Sequence, residues 1–332
     1  MPARAGGGRR RAQAEPRLPA VRWAAVAAAR PLLLASRPPD AEPGFVFDYE
    51  TFSAATATNF TFKAHTTYYV SGGLTLTGTN TTFEAAAIVK YAPTNNARLV
   101  VNTPVTWLGE PYRPVVLTAR DDQTVGVSIT NAAPSGYYAS IALQLNANHA
   151  GTNFHLANLR IRHARTAIAL NYSNHHRISH AQFFACASGL ECTSTDVTLR
   201  NVLFSSVATN FNGSTFTVRG AHLTVRNAAW LNHNSYGSVT LTNSLLVAVA
   251  NPGTYYGTGN AAHAPTNGVF QTVGAGESYL AAGSTNRNAG TTTLEPALAA
   301  ELKVRTTYPP LVNTNAYTTN LVLAPQALRD TD

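Results

Sequence analysis

Six of the ten histidines fall between positions 149 and 180: His149, His155, His163, His175, His176 and His180. Four arginines lie among them, Arg160, Arg162, Arg165 and Arg177. Imidazoles at this density could bind a metal, but guanidinium groups alongside repel a cation. The same arginines favour an anionic ligand such as an acidic glycan. The predicted ligand-binding set is therefore Arg160, Arg162, His163, Arg165, His175, His176 and Arg177, on one basic face. The alternative is a solvated outer face whose polar residues happen to be basic.

Acid–base chemistry has little to draw on. Glycoside hydrolysis needs two carboxylates facing one cleft, and lyase chemistry with Ca²⁺ needs several acids plus a proton acceptor. Between Gln123 and Gly276 the only carboxylates are Glu191 and Asp196. Asp121-Asp122 is the one adjacent acidic pair beyond the N-terminal tail. It could help to bind Ca²⁺, but such a pair more often caps loop N–H groups. No G-x-S-x-G elbow anchors a Ser-His-Asp reading. The two cysteines, Cys186 and Cys192, match no zinc spacing and read as small core residues. Tyr68-Tyr69, Tyr137-Tyr138 and Tyr255-Tyr256 could stack on sugars, but strand and loop pairs usually place one ring inside and one out. No cofactor is implied, and the expectation is that the chain is not an enzyme.

The elements that must carry these residues are β-strands. Short alternating runs stand at 60–63, 67–70, 74–77, 87–91, 99–102 and 115–118, with Gly, Asn and Pro between them. From 154 to 247 five phrases can be stacked: F-H-L-A-N-L-R-I, H-R-I-S-H-A-Q-F, V-T-L-R-N-V-L-F, L-T-V-R-N-A-A-W and V-T-L-T-N-S-L-L. Their third residues are apolar: Leu156, Ile178, Leu199, Val225 and Leu241. Two positions on stand Asn158, His180, Asn201, Asn227 and Asn243, at steps of 22, 21, 26 and 16. An apolar column beside an Asn column is what a coil-per-repeat solenoid produces, because Asn tolerates the positive φ of a sharp corner. Asn158, Asn201, Asn227 and Asn243 are the predicted structural ladder, His180 interrupts it, and the uneven steps predict a bulge in the fourth coil. In the same register Cys186 aligns with Ala164 and Val207, and Cys192 with Leu170.

The predicted fold is all-β: a right-handed parallel β-helix with a disordered N-terminal tail and a short C-terminal helix. Residues 1–43 read as that tail or as a degenerate signal region, 44–140 as N-terminal coils, 141–250 as regular coils, and 251–332 as looser coils. The helix is expected at 296–304, where Pro296 suits the first position and Lys303 the last turn, and a further strand at 320–324. Apolar residues make up 45% and charged residues 12% of the 332, which fits a hydroxyl- and amide-covered β surface better than a disordered chain. The net charge of +8 is weighted to residues 1–40, which hold eight Arg against two acids. The remaining 16 basic and 14 acidic residues do not argue for nucleic acid. No stretch is long and apolar enough to span a membrane.

A-I-V-K-Y at 87–91 followed by Y-R-P-V-V-L-T-A-R-D-D at 112–122 resembles bacterial extracellular right-handed β-helix proteins. G-S-T-N-R-N-A-G-T at 283–291, A-E-L-K-V-R-T-T-Y-P-P at 300–310 and L-A-P-Q-A-L-R-D-T-D at 323–332 resemble large β-helix proteins of Verrucomicrobia-like bacteria. The resemblance covers residues 45–332. It implies a pectate-lyase-like fold without catalytic residues to carry over, and an extracellular or cell-surface location. The expected function is a non-catalytic structural or adhesion-type module, a piece of a larger secreted or surface protein and a partner of its other domains. The alternative is a carbohydrate-binding or degenerate polysaccharide-active β-helix that binds an acidic extracellular polysaccharide on its Arg/His face.

Overall fold

The computed structural model describes residues 49–94, 96–172, 174–233, 236–264, 268–273, 276–287, 289–291, 295–304, 311–313 and 323–325. The tail predicted at 1–43 lies outside them.

The described chain is nearly all β and winds into a parallel β-solenoid of about nine turns. Each turn is a triangle of three strand segments, here named faces A, B and C in chain order. Face A carries an inward column of Tyr68, Val89, Leu117, Ile161, Phe183, Phe204, Val225 and Leu246, matched residue to residue. All eight are 2% exposed or less. Phe183 and Phe204 stack at 4.8 Å. In coils one to three, face C is lined by Phe62, Phe83 and Trp107 in register, with Phe62 and Phe83 stacked at 4.4 Å. Such columns arise because parallel stacking puts equivalent residues of successive coils in contact, so one apolar position per strand builds a continuous core.

Corners are set by single residues at positive φ. The C-to-A corner uses Asn158, His180, Asn201, His222 and Asn243, with φ of 56°, 54°, 51°, 57° and 50°. The A-to-B corner uses His163, Ala185, Ser206, Asn227 and Ala248. The B-to-C corner uses Tyr172, Ser194 and Thr215. Because these bends keep the ladder bonds intact, single strands run around them, as in Ser188–Ser205 and Thr209–Asn232.

This geometry corrects the ladder. Asn227 belongs to the A-to-B corner, and the C-to-A rung of its coil is His222. The apolar column of face C is Leu156, Ile178, Leu199, Gly220 and Leu241, so Val225 belongs to face A. The corner steps are 22, 21, 21 and 21, and the fourth coil does not bulge. Gly220 conceals the column in the sequence. A Cβ there would meet side-chain atoms of Leu223 and Leu241 at 2.8 to 2.9 Å, so the two leucines fill the place of the missing side chain. At the C-to-A corner Asn201 Nδ2 meets His180 Nδ1 at 3.0 Å, so His180 serves as a rung rather than a break, and a stack of directly bonded Asn residues stands at the end of face B. Asn146 donates to Asn102 at 2.7 Å, and Asn171 donates to Asn146 at 3.1 Å.

Cys186 and Cys192 are free, fully buried core residues. Burial pushes both thiols up to about 12. The tyrosine pairs divide as expected: Tyr68, Tyr138 and Tyr255 lie more deeply than Tyr69, Tyr137 and Tyr256.

The one-turn helix α1 (Ala147–Ala150) ends at Gly151, whose φ of 64° suits glycine. Among the described residues, Ala261–His263 is the last strand to join face A. An antiparallel hairpin follows, Phe270–Val273 with Gly276–Leu280. Helix α2 (Pro296–Val304), at its predicted position, then runs back along the C-to-A corner. Thr291 is bonded to Asn243 through three hydrogen bonds. Glu295 pairs with Arg200, and Glu301 meets His180 at 2.8 Å. Near the predicted strand at 320–324, Leu323–Pro325 pairs with Leu311–Asn313. No helix among the described residues is long and apolar enough to cross a membrane.

Candidate functional site

The seven predicted Arg/His residues do not form one face. A coil of about 21 residues goes once around the triangle, so positions 160 to 177 pass from face A through face B to face C. Arg160 stands in an outward column of face A, 8% exposed, with its Nε donating to Gln182 at 3.1 Å. Arg162 is on the same face. His163 forms the next corner, and burial followed by the Arg162 charge lowers its pKa. Arg165 is exposed at the start of face B. His175 and Arg177 are exposed at the start of face C, where Arg177 lies in register with His155, Thr198 and Arg219.

His176 points into the core and is 0% exposed. Its Nδ1 accepts the Phe154 amide at 3.0 Å, its ring stacks on Phe154 at 5.4 Å, and its Nε2 has no partner. Burial, with the nearby His155 charge, lowers its pKa to about 4. It is a neutral core residue, not a surface ligand.

The densest polar cluster lies on the outside of face A. The loop 120–138 folds over Ile88 and Val116, and its Val125 packs on them as a small second core. Lys90 points outward from the strand Ile88–Tyr91 yet is 0% exposed. Its Nζ donates to the carbonyls of Asp122 at 2.7 Å and Val127 at 2.6 Å. Burial lowers its pKa, and the charges of Asp122 and Asp121 partly oppose that. The Asp122 carboxylate accepts Thr118 Oγ1 at 2.6 Å, Thr124 N at 3.0 Å, Thr124 Oγ1 at 2.6 Å and Arg162 Nη1 at 2.9 Å. Asp121 accepts from Arg120, Thr130 and Tyr138. Burial raises both acids, but Arg162 with the Thr118 and Thr124 bonds outweighs it at Asp122, and Thr130, Tyr138 and Arg120 do so at Asp121, so both pKa values end low. Carboxylates bonded this fully have little acceptor capacity left for a substrate or a Ca²⁺ ion. Among the described residues no group of three or more His, Cys, Asp or Glu could hold a metal.

The same device recurs at the other end of face A. The outward column through Arg162 continues as Phe184, Ser205 and Arg226. Arg226 donates to the Glu277 carbonyl at 2.9 Å and carboxylate at 3.2 Å, and its guanidinium lies 5.8 Å from the Phe270 ring. Arg162 thus holds the loop 120–138, and Arg226 holds the hairpin. The sequence reading missed Lys90 and these clamps. Its available signal was a lysine inside the apolar strand A-I-V-K-Y. The chain matches no protein-family model, no curated protein and no solved structure.

Proposed function

We propose that the chain is a non-catalytic extracellular structural or adhesion-type module, of the pectate-lyase-like kind found in secreted proteins of Verrucomicrobia-like bacteria. The supporting observation is the use made of its acids. Asp122, Glu277 and Glu295 pair with Arg162, Arg226 and Arg200 of the coils, and Glu301 meets His180, so that a loop, the hairpin and α2 are tied to the stack, while Asp121 pairs with its neighbour Arg120 inside the loop. Asp196 pairs with Arg219. Charges used in this way add rigidity to a scaffold, and among the described residues they leave no opposed pair of carboxylates around a cleft. The test is incubation of the full chain with a polysaccharide panel, including polygalacturonate with Ca²⁺, followed by assay of reducing ends and unsaturated uronates. No product is expected. Product that disappears in Asp122→Asn would overturn the reading.

The acidic-glycan alternative keeps one favourable observation, the exposed His155, His175 and Arg177 at the start of face C. It predicts binding to polygalacturonate that is lost in Arg177→Ala.

A further inference from the structure

Face B differs from its neighbours in what covers it. The loop 120–138 and the hairpin lie over face A, and α2 follows the C-to-A corner. The outward positions of face B in the regular coils are small or amidic. One column is Ala169, Glu191 and Asn212, and the next is Asn171, Thr193 and Ser214; beside them the row Thr166, Ser188 and Thr209 is largely enclosed, with Thr166 7% exposed and Ser188 Oγ buried. The charged side chains there are Arg165, at the corner, and Glu191, which accepts Thr166 Oγ1 at 3.3 Å. On the following coil the pattern changes abruptly. The Trp230 amide bonds the Ala208 carbonyl and the His233 amide bonds the Phe211 carbonyl. These bonds set an indole above Thr209 and an imidazole above Asn212.

Trp230 is 36% exposed. Its ring meets His233 edge-on at 5.0 Å and 87°, and its carbonyl accepts Asn210 Nδ2 at 3.0 Å, so the side chain is braced while its surface faces solvent. Trp230 takes a position that three preceding coils give to Thr or Ser, and it stands beside His233. Two more exposed rings border this face at the B-to-C corner, Tyr172 at 58% and Tyr236 at 78% exposure. They stand three coils apart, about 14 Å at the strand spacing.

We propose that the outer surface of face B is a binding platform for an extended, uncharged polysaccharide, with Trp230 as its main stacking residue. The proposal rests on the adhesion-type reading and names its ligand class. An indole face packs against the C–H face of a sugar ring, and hydroxyl and amide columns match sugar hydroxyls. The coil spacing of about 4.8 Å is close to the length of one ring in an extended glycan. A protein partner would also use Trp and Tyr, but polar side chains set at the same place on successive coils, as Asn171, Thr193 and Ser214 are, suit a repeating ligand better. The scarcity of charge selects against polyuronates.

The test is affinity electrophoresis of the full chain through gels containing hydroxyethylcellulose, xylan, glucomannan or polygalacturonate, using wild type, Trp230→Ala, Trp230→Phe and Arg177→Ala. Retardation by at least one uncharged glycan is expected. Trp230→Ala should weaken it about tenfold or more, since loss of one stacked ring removes on the order of 1.4 kcal/mol. Trp230→Phe should keep most of it, and Arg177→Ala all of it. Addition of a soluble oligosaccharide should shift the tryptophan emission of wild type and not of Trp230→Ala, with circular dichroism unchanged between them. Retardation by no uncharged glycan would overturn the platform, as would equal retardation of Trp230→Ala and wild type. Retardation by polygalacturonate alone, lost in Arg177→Ala, would also overturn it by moving binding to face C. Release of product from any gel polysaccharide would instead end the non-catalytic reading and leave the platform standing.

Discussion

At the scale of single residues, His176 links the interior to pH. It takes an inward place that the next coils give to Val197 and Val218. The imidazole is stable there because it is neutral: Phe154 N satisfies Nδ1, and Nε2 is buried without a partner. Its pKa falls from 6.5 to about 4 on folding. A lowered histidine pKa means that the unfolded chain takes up the proton more readily. The stabilisation is therefore complete above pH 6.5 and is lost as pH falls from 6.5 toward 4, a change of about 3 kcal/mol. His163 and His222 are shifted in the same direction, largely by burial. The lowered carboxylates, Asp121 and Asp122, lose their contribution only below the ordinary carboxylate range. Urea midpoints measured from pH 7.5 to 4 should fall steadily in wild type and less steeply in His176→Phe. Parallel slopes for the two proteins would remove His176 from the account.

At the scale of elements, the solenoid is fastened from outside by segments joined to it through polar and charged pairs. The outer partners Glu277, Glu295 and Glu301 are 67%, 47% and 44% exposed, whereas their coil partners Arg226, Arg200 and His180 are 24%, 14% and 5% exposed. Pairs with one solvated member contribute up to about 1 kcal/mol each and weaken with salt. The C-terminal strap should then open locally, well below the free energy of unfolding the coils. Glu295→Ala combined with Glu301→Ala should shift the melting temperature by no more than a few degrees, but should speed tryptic cleavage within 287–305 several-fold. Salt should have the same effect on wild type. Unchanged cleavage would show that buried Leu298 and the Asn243–Thr291 bonds hold the strap without the acids. The loop 120–138 is better protected, because Lys90 is buried beneath it and its own Asp122 is buried against Arg162.

At the scale of the whole molecule, the fold was legible because repetition averages over local noise. The alternating runs before residue 118 fall on observed strands, and Leu156, Ile178 and Leu199 align in both sequence and structure. Misreading began where a coil hid its marker. Each turn has three corners at positive φ, where Asn is at ease, so L-T-V-R-N-A-A-W at the A-to-B corner imitates the C-to-A phrase, while Gly220 and His222 disguise the true one. The binding face failed for a related reason: nearness in sequence within one coil means spread around a triangle, and Arg160 and Arg177 end on different faces. The exposed Trp230 and the buried Lys90 follow no spacing rule and needed the register first. That register makes a direct prediction. Excising residues 200–220, one full coil, joins Leu199 to Ala221 with every inward position preserved, because Leu199 and Gly220 are equivalent. The shortened chain should fold with a parallel-β circular dichroism spectrum and a cooperative, less stable transition, since solenoid stability is nearly a sum over neighbouring coils. Excising 200–225, the 26-residue step of the sequence phrases, joins Leu199 to Arg226, so that the following residues meet the wrong face and corner. That chain should aggregate. Equal folding of the two would mean that the stack tolerates slippage and that the corner residues, not the inward columns, specify the coil.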